Sequence, residues 1–236
     1  MIKDLQERYA PYIEKKSIKY KATDLKSASI RFSEAMENID KQNEILKTLK
    51  EKHLDGERDV LRAQVMFLES ALDYYVHEIV KYGIEKMFSN HPNWPETSDF
   101  KKIKVSLLFT KKVFNQPENL KDIFNELDYS LPTYMKYDAI IRSLVMIGIY
   151  EEHNIPHKIN NYRKEINEIS NRRNSIVHAS DRTDSGKQKY LDENMVKKFI
   201  STICNFQKDI QADIEYKNSK GRVVSQYKFE FCDTTG

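Results

Sequence analysis

The segment "LRAQVMFLESALDYYVHEIVKYG" constrains the fold of this chain more than any other. Leu61, Val65, Leu68, Leu72, Val76, Ile79 and Gly83 recur at steps of three and four, a spacing that puts them on one face of an α-helix and on both faces of a strand. Further apolar residues lie between them, so the helix expected over 60–88 needs cover on more than one side and belongs at the centre of a bundle. Turn formers are scarce, with six Gly and six Pro in 236 residues. A sandwich or barrel needs many more turns than that.

The rest of the chain reads as helix after helix. Residues 24–53 carry Ala28, Phe32, Ala35, Ile39, Leu46 and Leu49 in a second stripe, interrupted by Gln42. "LDGERD" (54–59) breaks it, and "SNHPNWPETSD" (89–99) is a loop by its prolines and short polar residues. Shorter helices are expected near 99–114, 117–127 and 132–150. Another runs from "NIP" (154–156) to near Ser180. After the polar "DRTDSGKQ", a last helix over 191–216 sets Val196, Ile200, Ile203, Phe206, Ile210 and Ile214 on one face. Beyond Gly221 the period becomes two: Tyr227, Phe229 and Phe231 alternate with Lys228 and Glu230, as in a strand. The expected architecture is an all-α, up-and-down helical bundle over 57–216. A long N-terminal helical extension (1–56) precedes it, and a short extended or strand tail (217–236) follows, for pairing across a dimer or docking on a partner.

Charge narrows function only a little. Thirty-nine Lys and Arg face 36 Asp and Glu, too small a bias for binding nucleic acid through bulk charge, though a local patch remains open. No apolar run reaches membrane length, and "MIKDLQERYAPYIEKK" offers no apolar segment for a secretion signal. Cys204 and Cys232 are isolated thiols without metal-ligand spacing. These features lead us to expect a reduced, cytoplasmic protein without a metal or cofactor and without a membrane partner.

One stretch departs from the packing pattern. In "KINNYRKEINEISNRRNSIVHASD", Ile159, Tyr162, Ile166, Ile169 and Ile176 form the core stripe, and Arg173 falls in register with it. Ser170, Asn174 and His178 step by four along an adjacent polar face, and Asp181 continues that face if the helix persists. The central helix carries a matching row, Glu69, Asp73 and His77, also at steps of four. Facing each other, the two rows would make a polar seam, costly unless its charges are paired. Two readings follow. In one, Arg173 is simply paired with Glu69 or Asp73, and His178 sits at a helix C-terminus where its charge is favourable. In the other the seam is a site.

"RRNSIVHASD" resembles the signature of the HEPN superfamily (higher eukaryotes and prokaryotes nucleotide-binding): an Arg, a polar residue after it, and a His four to six residues beyond the Arg. The closest resemblance is to the RiboL-PSP-HEPN branch, in which an early helix is similar to "SALDYYVHEIV" (70–80). It covers roughly 58–212. It implies a helical bundle that dimerises, bringing two Arg/His motifs to one cleft, and many members are metal-independent endoribonucleases of toxin–antitoxin or anti-phage systems. Others are silent modules that bind RNA or a nucleotide. The branch that pairs with a nucleotidyltransferase antitoxin carries a Tyr two residues after the His; here that position is Ser180.

By this resemblance Arg173, Asn174 and His178 are the catalytic candidates. RNA supplies its own 2′-hydroxyl nucleophile. Histidine titrates near neutrality, so His178 is the general base or acid. Arg173 would stabilise the phosphorane-like transition state, and Asn174 would orient His178 or touch the phosphate. Glu69, Asp73, His77 and Asp181 are the supporting candidates, and Arg172 is the candidate RNA guide. The expected partners are RNA, a second copy of the chain, and an inhibitor or activator protein.

Overall fold

The computed structural model describes residues 25–102, 104, 107, 133–183 and 185–220. Among them there is no strand, only isolated bridges at Glu151–Asn154 and Arg182–Gln188. Six α-helices organise these residues: α1 (Leu25–Glu51), α2 (Glu57–Phe88), α3 (Tyr137–Met146), the single turn α4 (His157–Asn160), α5 (Arg163–Ala179) and α6 (Glu193–Lys220). The expected helix over 117–127 and the expected strand beyond Gly221 lie outside the described residues. Within the helix expected near 99–114, the described residues include a 3₁₀ turn, Phe100–Lys102, and Leu107, which is helical.

The apolar stripe of α2 is the axis of the molecule. Val65, Leu68, Leu72, Val76 and Ile79 are all buried, and so are Tyr75, Val80 and Ile84 on other faces of α2. The helix is covered by α1, α3, α5 and α6. Pair contacts set the directions. Phe32 packs on Tyr75 at 5.5 Å between ring centroids, and Gln64 Nε2 donates to the Ile39 carbonyl at 3.2 Å. Low numbers on α1 therefore meet high numbers on α2, and the two run antiparallel. Arg62 meets Asp181 and Glu69 meets Arg173, so α5 is antiparallel to α2 as well. Tyr75 and Tyr82 of α2 donate to Gln211 and Asn218 of α6, which runs parallel. The four long helices thus alternate up, down, up, down, with α3 and α4 inside the α2–α5 connection.

Two helices differ from the sequence expectation. The helix expected over 132–150 is shorter and begins at Tyr137, because distant side chains take the backbone donors ahead of it. Asp73 accepts the Tyr134 N–H, and Asn167 Oδ1 accepts the Tyr137 N–H at 3.1 Å. The helix expected from 154 to 180 is broken after Asn160. The Asn160 amide donates to the Ile155 carbonyl at 3.1 Å and its oxygen accepts from the Tyr137 hydroxyl at 2.9 Å. Such side-chain bonds compete with helix continuation.

Gly83 occupies the closest approach on the α2 stripe. A Cβ there would lie 2.7 Å from Ile147 Cβ and 3.0 Å from the Trp94 ring. Alanine gains about 1 kcal/mol of helix propensity over glycine, whereas forcing a methyl into a packed core costs about 1–3 kcal/mol. Gly83→Ala is therefore expected to be net destabilising in urea unfolding; a stabilised variant would contradict this packing.

Candidate active site

The motif helix α5 carries its polar residues from the core to the surface. Ser170 is fully buried, Arg173 and Asn174 are partly buried, and His178 is exposed in the last turn. Arg173 reaches back toward α2. Its Nε lies 3.2 Å from Glu69 Oε2, and its Nη1 donates to Asn174 Oδ1 at 3.2 Å. The Arg173 side chain keeps 22% of its surface and Glu69 only 2%. The seam is real, and Glu69 is the arginine's partner. Asp73 accepts from the Tyr134 backbone and lies 3.8 Å from His77 Nε2, and the His77 ring packs at a tilt against Tyr134, 4.6 Å between centroids.

These groups border one open cleft of about 420 Å³, lined by Glu69, Asp73, Tyr74, His77, Met135 and Arg173 among others. Asn174 lines a neighbouring depression with Met135, Lys136, Asn167 and Ser170. His178 lines neither of them. It makes no hydrogen bond or ion pair among the described residues, and nearby Val177 is 42% exposed.

Glu69 is electrostatically uneasy. Burial pushes its carboxyl from the ordinary 4.5 up to about 7, while the Ser170 hydroxyl and Arg173 pull it back and Asp73 adds to the rise. Neither carboxylate oxygen receives a hydrogen bond of good geometry. Removing the group from water therefore outweighs the ion pair. A raised carboxyl pKa means that the fold holds this proton more tightly than the unfolded chain. That stabilisation is complete below pH 4.5 and is lost as pH climbs through about 7. Glu69→Gln removes the titration, and Arg173 keeps Asn174 and solvent access. The Gln-minus-Glu stability difference is expected to grow across this window, by on the order of 2 kcal/mol. Urea midpoints at pH 5 and pH 8 measure it, and parallel pH profiles would contradict it.

Asp181 lies elsewhere than the sequence placed it. The helix stops at Ala179, and Ser180 (φ +48) and Asp181 (φ +56) are both left-handed. That turn swings Asp181 off the Ser170–Asn174–His178 face and into the core, where it is fully buried. Its Oδ2 accepts from Arg62 Nε at 3.1 Å and from Arg172 Nη2 at 2.9 Å. Arg62 also meets Asp59 at 3.0 Å. Arg172, expected to guide RNA, thus points inward and holds the helix end. Arg62 is not among the residues expected at the site. Its signal was an arginine set among apolar residues in "DVLRAQVMFL", a charge inside a buried run that calls for a counter-ion.

Among the described residues no helix is long and apolar enough to cross a membrane, and no group of three His, Cys, Asp or Glu could hold a metal. The up-and-down bundle, whose late helix carries Arg173, Asn174 and, five residues after the arginine, an exposed His178, agrees with the helical bundle and Arg/His motif that the HEPN resemblance implies. The family model described as RiboL-PSP-HEPN matches residues 31–216, and the chain belongs to this family. The match begins inside α1, so it takes in most of a helix that the resemblance over 58–212 leaves out. No curated protein and no solved structure matches the chain.

Proposed function

We propose that the protein is a metal-independent endoribonuclease of HEPN type, with a composite Arg/His site formed by two copies of the chain. The carrying observation is that the motif is split within one chain. Arg173 borders a cleft, while His178 stands exposed outside it with no partner among the described residues. The antiparallel register of α2 and α5 sets Met66 level with Val177, and Met66, Phe67 and Val177 are 38%, 53% and 42% exposed. Exposed apolar side chains on α2 and on the motif helix suit a second copy, which would bring its own motif to the first.

The chemistry follows from the residues. The 2′-oxygen bonds to phosphorus and the P–O5′ bond breaks, leaving a 2′,3′-cyclic phosphate and a 5′-hydroxyl. One His178 removes the 2′-hydroxyl proton, and that of the other copy protonates the leaving oxygen. Arg173 leaves Glu69 to neutralise the phosphorane. Asn174, bonded to Arg173, guides that movement. Glu69, near half-protonation at neutral pH, releases the guanidinium at modest cost. Asp73 and His77 shape the cleft, and Asp181 and Arg172 fix the helix end. A cytoplasmic toxin or anti-phage effector, restrained by an inhibitor or released by an activator protein, is the role that such an activity fits.

A silent module that binds RNA or a nucleotide is the second reading, favoured by the Arg173–Glu69 pair because it occupies the guanidinium. The deciding experiment is incubation of tRNA and of a long unstructured RNA with the protein in EDTA, with the new termini identified. Cyclic phosphate and 5′-hydroxyl ends support the ribonuclease. Intact RNA bound by a folded dimer supports the module.

A further inference from the structure

The cleft beside Arg173 has its own chemistry. Two of its three carboxylates are matched by cations, Glu69 by Arg173 at 3.2 Å and Glu78 by Lys81 at 3.2 Å. Asp73 is the remaining acid. Its Oδ1 takes the Tyr134 backbone N–H and faces His77, while Oδ2 has no partner among the described residues. Glu69, 2% exposed, keeps both carboxylate oxygens buried beside Arg173 and out of reach of a ligand. The Asp73 side chain keeps 22% of its surface, so its Oδ2 can accept from a hydrogen-bond donor that enters the cleft.

We propose that this cleft is a nucleobase subsite selective for guanine, with Asp73 as the residue that reads the base. The assignment rests on the ribonuclease reading for its substrate, RNA. Arg173 at the rim would hold a phosphate, and the attached base reaches into the cleft. Single-stranded RNA is recognised through splayed bases, stacked on aromatic rings and bonded along their Watson–Crick edges. Guanine alone presents two adjacent donors there, N1–H and N2–H, which a carboxylate accepts with both oxygens. Adenine and cytosine set an acceptor beside their amino group, and uracil flanks its single N–H with two carbonyls. Against Asp73 those acceptors would meet negative oxygen. Tyr74 supplies an aromatic wall, with Arg31 over its ring at 5.7 Å.

The test separates binding from cutting. Tetranucleotides with 2′-fluoro sugars lack the nucleophile and cannot be cleaved by 2′-hydroxyl attack. Their dissociation constants are measured by fluorescence anisotropy for a U-only strand and for strands carrying one G, A or C. The full-length protein is expected to bind the G strand roughly 10-fold tighter than the others, the scale of one two-pronged base contact. Asp73→Asn keeps an oxygen for the Tyr134 N–H, and its thermal melt checks the fold; the G preference is expected to shrink to within about twofold. Equal binding of all four strands by the wild type, binding of none, or a G preference that survives in a folded Asp73→Asn overturns the assignment. Selective G binding by a protein that cuts no RNA would keep the subsite and end the ribonuclease reading.

Discussion

Asp181→Asn is expected to destabilise the protein by about 3–5 kcal/mol, the usual cost of stripping the counter-ion from buried charges. Asparagine keeps the size of the side chain and tolerates the left-handed backbone at φ +56, so the substitution isolates the charge. What remains are two guanidinium groups, Arg62 and Arg172, whose side chains are 10% and 12% exposed. Asp59 still meets Arg62, but it is 84% exposed and is a weak substitute in solvent. The damage should concentrate where the clamp acts. The Asp181 N–H donates to the Ser175 carbonyl at 2.9 Å and its own carbonyl accepts from Lys189 at 2.8 Å. Losing the carboxylate therefore loosens the turn that stops α5 one residue after His178. Urea unfolding gives the size, and hydrogen exchange over 175–182 gives the place. A loss under 1 kcal/mol, or exchange raised uniformly, would mean that the triad does not anchor the motif helix.

The sequence made the long elements legible because their burial is periodic. The α2 stripe, the faces of α1 and α6, and the Arg173–Glu69 pairing all follow from which residues share a helical face. What it hid depended on single backbone angles and distant donors. Neither Ser180 nor Asp181 is a glycine, so nothing local announces two left-handed residues in succession. Extending the helix by one turn would have kept Asp181 beside His178. The start of α3 is likewise set by Asp73 and Asn167, which lie far from it in the chain. The row Ser170–Asn174–His178 was read correctly as one face, but spacing carries no information about depth. Its first member is buried against Glu69 and its last is in solvent.

That gradient makes His178 an unusually clean target. His178→Ala removes an exposed side chain without a partner among the described residues, so stability should stay within ~0.5 kcal/mol of wild type. Cleavage, in contrast, should fall by roughly 10²–10⁴-fold, the usual contribution of a positioned proton-transfer group, with RNA binding nearly unchanged. Arg173→Ala is the harder variant because it leaves Glu69 without its ion-pair partner. At pH 6 that carboxyl, pushed up to about 7 by burial, is mostly neutral, so the structural cost is small there and the catalytic loss can be read separately. Arg173→Lys should not restore activity, because an ammonium lacks the planar fork that spans two phosphate oxygens. Wild-type cleavage by a folded His178→Ala dimer would remove His178 from the chemistry. Loss in Arg173→Ala alone would then leave an electrostatic phosphate site, with the proton-transfer group to be sought on the cleft side of the seam, where His77 is the nearest imidazole to Asp73.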